Sequence, residues 1–375
     1  MITQRLVLSA LMAAFLAGHL AVAADSKSAP AKHASPEELP EELQAQAEEA
    51  DKNSPAKLAS EAAVKALVWP APPLPERVRY AHEFNKAIDL GIKPSFFSRL
   101  FGWLTGNKPW PMVRPYAIAA DDGLIAIADP GVKSVFLFNL KDKEQLRIHK
   151  VGKDVLESPV GIALSDTRLF ISDSNKAQLH ILDREGEHLK SVSSLARPTG
   201  LAWHAETKRL YVADTLAHKI VVFNENGEQQ FEFGRRADKD AGFNFPSHLA
   251  VHGNRVYVND TMNFRVQIFD LEGQYISKFG VHGDGSGQFS QPKGIGIDVA
   301  GHIYIADSVF HKIQIFDDQG RYLLDIGQQG RRAGEFWLPA GVFVYKNRIY
   351  VADSYNRRVQ VFDYTYKGKG KGSQE

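Results

Sequence analysis

The chain has 375 residues, 44% of them apolar and 24% charged, with 30 Gly and 18 Pro. That is enough apolar material for a sizeable core, and it excludes a collagen-like, coiled-coil or wholly disordered chain. Lys plus Arg number 45 against 44 for Asp plus Glu, a balance that argues against a general nucleic-acid or membrane-surface binder and sends the search for partners to local patches. With no Cys in the chain, a disulfide frame, a thiolate metal site, a Cys nucleophile and haem attachment through C-x-x-C-H are all excluded.

The N-terminus opens with Arg5, an apolar stretch from Leu6 to Ala17, and the small residues Ala21-Val22-Ala23-Ala24 before Asp25. This is the three-part pattern of a secretory signal, so residues 1–24 are expected to be removed and the protein to be periplasmic or secreted. Residues 25–68 carry 9 acidic and 5 basic side chains with only scattered large apolar ones, Leu39, Leu43, Leu58 and Val64 among them. Such a segment cannot bury enough surface to offset chain entropy and is expected to be a disordered acidic tether. Within residues 69–113, the run Trp69-Pro70-Ala71-Pro72-Pro73-Leu74-Pro75 reads as a stiff extended connector, because proline fixes φ and lacks a donor. Further on, Pro94 to Thr105 places Phe96, Phe97, Leu100, Phe101, Trp103 and Leu104 at helical spacing. A Phe-rich helix packed on its own domain is expected there, with peripheral membrane or partner contact through Phe96 to Leu104 as the alternative.

From Arg114 to Tyr366 the sequence repeats itself, and a short Lys/Gly tail (367–375) follows. Each unit has an apolar strand ending in Asp, a short polar turn and a second apolar strand. The six anchoring acids are Asp129, Asp173, Asp214, Asp260, Asp307 and Asp353, at spacings of 44, 41, 46, 47 and 46. Six copies at a period in the forties predict an all-β, six-bladed β-propeller with four strands per blade. In the fifth copy the strands a to d are expected at Gly294–Ile297, Ile303–Ala306, Lys312–Phe316 and Tyr322–Ile326, separated by Gly- and Asp-containing turns. The sixth copy lacks a strand d. Since Val78 to Phe84 alternates like the fourth strands Glu228–Phe233 and Gln274–Phe279, it is expected to fill that place and close the ring.

The units PKGIGI…IYIADSVFHKIQIFD and PAGVFV…IYVADSYNRRVQVFD resemble NHL repeats, and the six copies together resemble an exported bacterial NHL propeller. The resemblance implies a fold and not a function, because such propellers serve enzymes, RNA binders and scaffolds alike. It also implies association with envelope complexes, such as those of multihaem cytochromes or of exopolysaccharide handling.

The repeated Asp residues are expected to be structural, accepting backbone N–H bonds of the turn between strands b and c. The series Phe138, Leu182, Phe223, Phe269, Phe316 and Phe362 is expected to form the core between blades. Function is sought where copies break the pattern on the face shared by the d–a loops and b–c turns. There, Arg235, Arg236, Lys239, Arg331 and Arg332, with Arg357 and Arg358 from the last b–c turn, predict a basic surface suited to carboxylates, sulfates or phosphates. At the starts of strand a, Arg114, Arg197, His248 and Lys293 predict a cationic channel mouth. The expected function is therefore a non-enzymatic, monomeric scaffold or anionic-ligand binder of the cell envelope, with no cofactor, metal or nucleic acid. The alternative is a metal-dependent lyase or lactonase-like hydrolase at the channel mouth. FPSHLAV, with His248, is similar to a segment of the zinc-holding peptidyl-hydroxyglycine lyases, but the His is displaced by one place and the other strand a starts have none. A catalytic zinc site needs three protein ligands.

Overall fold

Alternating residues of the repeats fall into four-stranded antiparallel sheets because the inward side chains of each strand pack against the next sheet. The computed structural model describes residues 67–93 and 110–365. The expected signal peptide, the tether up to residue 66, the Phe-rich helix and the Lys/Gly tail lie outside the described residues.

Blade 1 comprises Ala117–Ala120, Leu124–Asp129, Ser134–Asn139 and Glu144–Ile148 as strands a to d. Blade 2 comprises Pro159–Leu164, Leu169–Asp173, Gln178–Leu182 and His188–Val192. Blade 3 runs through Pro198–His204, Arg209–Asp214, Lys219–Asn224 and Gln229–Phe233. Blade 4 runs through Pro246–His252, Arg255–Asp260, Arg265–Asp270 and Tyr275–Phe279. Blade 5 has Pro292–Ile297, Ile303–Asp307, Lys312–Phe316 and Tyr322–Ile326, so its strands c and d coincide with the expected spans.

Blade 6 takes strands a to c from Val342–Tyr345, Arg348–Asp353 and Arg358–Tyr364. Its fourth strand is Val78–Phe84, which runs antiparallel to strand c with Val78 opposite Tyr364 and Phe84 opposite Val359. One expectation about the collar is corrected. Val68–Trp69 forms a fifth strand outside it, paired with Arg79 and Val78, and the amide of Arg77 donates to the carbonyl of Trp69 at 2.7 Å. Leu67 and Val68, assigned to the tether in the expectation, thus lie against the closing strand, and the prolines form the loop between two paired strands and not an extended spacer.

The predicted core series is buried throughout, Phe138, Leu182, Phe223, Phe269, Phe316 and Phe362 each being at most 1% exposed. Neighbouring blades are also tied by hydroxyls that the repeat pattern did not reveal. Ser174, Thr215, Thr261, Ser308 and Ser354, each next after an anchoring Asp, donate to the carbonyls of Pro198, Pro246, Pro292, Pro339 and Pro115 in the next blade. The last of these closes blade 6 onto blade 1. The repeated Asp-Ser/Thr and the repeated Pro are therefore two halves of one contact between blades.

Candidate functional site

All six anchoring acids are buried, none more than 1% exposed. Their main duty differs from the expected one. The carboxylates chiefly accept amides of the d–a segment that leads into strand a of the same blade: Val113 and Arg114 on Asp129, Glu157 and Ser158 on Asp173, Ala196 and Arg197 on Asp214. Asn244 on Asp260, Ser290 and Gln291 on Asp307, and Trp337 on Asp353 complete the set. Bonds from the b–c turn are additional, as from Gly131 to Asp129 and Phe310 to Asp307. These acids hold the strand a starts in place around the channel mouth.

The long d–a loops are held as firmly. Each begins with a glycine at positive φ, Gly234 (90°), Gly280 (88°) and Gly327 (87°). A Cβ there would lie 2.3, 2.3 and 2.2 Å from the rings of Phe243, Phe289 and Phe336. Those rings are fully buried and pack on Phe269, Phe316 and Phe362 at 5.4, 5.6 and 5.9 Å. A single parallel bridge crosses each loop, Arg236 to Phe243, His282 to Phe289 and Gln329 to Phe336. The Phe plug sits at a constant distance from the glycine in all three copies, a signal present in the sequence but not used.

These arches carry the basic side chains outward. Arg235, Arg236, Lys239, Arg331, Arg332 and Arg357 are exposed. Among the described residues Arg235, Arg236, Lys239 and Arg357 form no ion pair, and Arg331 lies 4.7 Å over the ring of Trp337. Arg332 does not act as a free cation. Its guanidinium pairs with Glu335 at 2.7 Å and holds that carboxyl at about 2. Arg358 is a correction: it is 7% exposed, with Nε on Asp353 at 2.8 Å and Nη1 on Glu83 of the closing strand at 2.6 Å. It opens strand c on the same side as Gln360 and Phe362, so it is buried between blades 5 and 6, where it also donates to the carbonyls of Arg332 and Glu335, and is unavailable to a partner.

At the channel mouth Arg114 and Arg197 are exposed, whereas His248 is only 7% exposed and Lys293 half-buried. His248 and Tyr116 come from blades on opposite sides of the ring, and their rings lie 5.6 Å apart at 31°, across the mouth. The ammonium of Lys293 sits 5.9 Å from the Tyr116 ring centre. Burial, reinforced by the Lys293 charge, holds the His248 imidazole at about 3, so it is neutral at pH 7. Burial, with the Arg114 charge adding to it, lowers Lys293 as well. Beneath this ring pair a cavity of about 380 Å³ runs down the channel, walled by small residues such as Gly161, Gly200 and Gly296 and ending at Asp121, Asp166 and Tyr345 on the opposite face. The structure thus gathers Arg114, Arg197, His248 and Lys293 as expected, but His248 plugs the mouth and is not exposed in it. Among the described residues no group of three His, Asp or Glu side chains is placed to hold a metal ion.

The chain is a six-bladed β-propeller. Residues 237–314 and 297–372 match the family described as DUF5128, 6-bladed beta-propeller. Among solved structures it is similar to an auxiliary nutrient binding protein from Bacteroides thetaiotaomicron VPI-5482, with a TM-score of 0.55 and 16% identity over 68% of this chain and 70% of that one. It is also similar to a catalytically inactive virginiamycin B lyase from Staphylococcus aureus, with a TM-score of 0.51 and 11% identity over 69% of this chain and 84% of that one. A hydrazine synthase from Kuenenia stuttgartiensis gives a TM-score of 0.50 and 12% identity over 68% and 97%. At these identities the likeness shows the fold alone. No curated protein sequence matches the chain.

Proposed function

We propose that this propeller is an exported, non-catalytic binding protein of the cell envelope that takes an anionic partner on the face formed by its d–a loops and b–c turns. The observation that carries the reading is the set of exposed cations on that face that have no ion-pair partner among the described residues. Arg114, Arg197, Arg235, Arg236, Lys239 and Arg357 make no ion pair among the described residues. Of the carboxylates in the same loops, Asp240 pairs with Lys278 and Arg265, Glu335 with Arg332, and Asp154 and Glu157 with Lys176, while the exposed Asp238 and Asp284 form no ion pair among the described residues and are outnumbered by the unpaired cations. Exposed guanidinium forks left free in this way bind carboxylate, sulfate or phosphate groups in bidentate fashion. Support for a binding role over chemistry comes from the mouth, where the His248 ring is buried, neutral and packed against Tyr116.

The test is a quadruple charge reversal, Arg235→Glu, Arg236→Glu, Arg331→Glu and Arg357→Glu, scored by cross-linked capture from native envelope extract. Capture is expected to be lost with the melting temperature within a few degrees of wild type, since exposed substitutions typically change stability by under ~0.5 kcal/mol each. Undiminished capture, or stoichiometric metal in protein purified without added metal, would overturn the reading.

A further inference from the structure

The basic face also carries an apolar row that the repeat itself lays down. The second residue of the b–c turn is Leu216 in blade 3, Met262 in blade 4, Val309 in blade 5 and Tyr355 in blade 6, and these are 50%, 51%, 47% and 53% exposed. Each follows the Ser or Thr whose hydroxyl is tied to the next blade, so its turn is fixed and the side chain is presented without further ordering. Equivalent positions in successive blades lie at equal distance from the axis, and the four therefore form an arc around the channel mouth. In blades 1 and 2 the same position is Gly131 and Asn175, and the arc stops.

The arc covers the same blades as the free arginines and merges with them. Arg331 lies over Trp337, whose ring is 6.3 Å from that of Tyr355, and Val281 stands 59% exposed in the loop between blades 4 and 5. Of the other exposed apolar side chains, Leu146, Leu189, Ile276 and Leu323 sit on the outer strands d, at the rim where neighbouring blades are farthest apart, while Val113 and Val155 stand singly in the segments leading into blades 1 and 2. Exposed apolar side chains interspersed with Arg, Trp and Tyr have the composition of the energetic centre of a protein interface. A free anion or a sulfated polysaccharide would use the arginines and leave the arc without a role.

We propose that blades 3 to 6 dock a protein, through an acidic segment that also carries large apolar side chains, the carboxylates meeting Arg235, Arg236, Arg331 and Arg357 and the apolar groups covering Leu216, Met262, Val309 and Tyr355. This rests on the reading of the basic face given above and narrows its partner to a polypeptide. The test uses the full chain, immobilised and offered a phage-displayed library of random peptides, with heparin as the polysaccharide probe. It compares wild type with the quadruple charge reversal and with an apolar variant, Leu216→Ser, Met262→Ser, Val309→Ser and Tyr355→Ser.

Wild type is expected to enrich peptides that combine Asp or Glu with Leu, Phe or Trp, and these should bind each variant at least about tenfold more weakly. Peptides that depend on the arginines but bind the apolar variant as well as wild type would overturn this inference while leaving the basic-face reading standing. Peptides indifferent to the charge reversal would overturn both. Heparin binding that depends on the arginines alone, with no peptide enriched, would replace the polypeptide with a polysaccharide. Should the serine variant lose its melting transition, the milder pair Leu216→Ala and Val309→Ala carries the same comparison.

Discussion

Deleting residues 67–90 is expected to abolish the cooperative melting transition of the propeller. The segment supplies the fourth strand of blade 6, and its side chains do more than cover an edge. Val78, Tyr80 and Phe84 are 0%, 6% and 1% exposed. Tyr80 and Trp69 each meet the Phe362 ring edge-on at 5.7 Å, while Phe84 packs on Phe138 of blade 1 at 5.9 Å. One short strand therefore completes blade 6 and joins it to blade 1. At roughly 1.5 to 3 kcal/mol for each large side chain buried, the loss exceeds ~5 kcal/mol, comparable with the whole stability of a typical domain. It would also leave strand c with unpaired N–H and C=O groups open to other chains. Circular dichroism through a thermal ramp reads the result directly. A melting curve like that of the full chain would contradict the assignment of ring closure to this strand.

The second large effect separates two acids at the same repeat position. Asp353 accepts the amide of Trp337 at 2.8 Å, Nδ2 of Asn356 at 2.9 Å, Nε of Arg358 at 2.8 Å and Nε2 of Gln360 at 3.0 Å. Asp353→Ala strips the buried Arg358 of this partner, leaving Glu83 as its carboxylate contact. Breaking a buried ion pair from one side typically costs about 3 to 5 kcal/mol. Asp307 holds backbone amides, those of Ser290, Gln291 and Phe310, while Lys312 of its own blade pairs with Asp325. Asp307→Ala is expected to cost about 1 to 3 kcal/mol, the desolvation of amides left unpaired. Urea unfolding of both variants should rank Asp353→Ala as the more damaging. Equal losses would mean that the cation contributes nothing, and a neutral Asp307→Ala would reopen a functional role for that residue.

The parts of this molecule that were legible in the sequence are those governed by local alternation. Strands c and d of blade 5 and the closing strand Val78–Phe84 coincide with the spans expected from the period-two pattern and its turn residues. What was not legible depends on residues brought together from a distance. Asp307 clamps the amide of Ser290, 17 positions earlier, and no window on strand b reveals the loop that returns there. Proline composition predicted stiffness in residues 69–75, but stiffness did not foretell that the flanking residues would pair across the loop.

Arg358 was misplaced although its signal was available. It alternates in step with Gln360 and Phe362, so the ring that marks the core also marks the arginine as inward. The pairs Asp260 with Arg265 and Asp353 with Arg358, each five apart, repeat the same buried contact in blades 4 and 6. At the mouth, spacing placed His248 among the cations, but Tyr116 reaches it from the opposite side of the ring, a contact that only closure creates.

Binding on this account takes place on the face carrying the arginines and not on the opposite face, where the a–b turns with Asp121, Asp166 and Tyr345 surround the other end of the channel. A photo-reactive amino acid at position 355 tests it most directly, compared with one at position 299, since Tyr355 and Val299 are both well exposed, at 53% and 76%, and belong to turns on opposite faces. Irradiation in the native envelope is predicted to give a discrete cross-linked adduct from position 355 and none from position 299. An adduct from position 299 with none from position 355 would contradict the account and move the binding site to the face of the a–b turns.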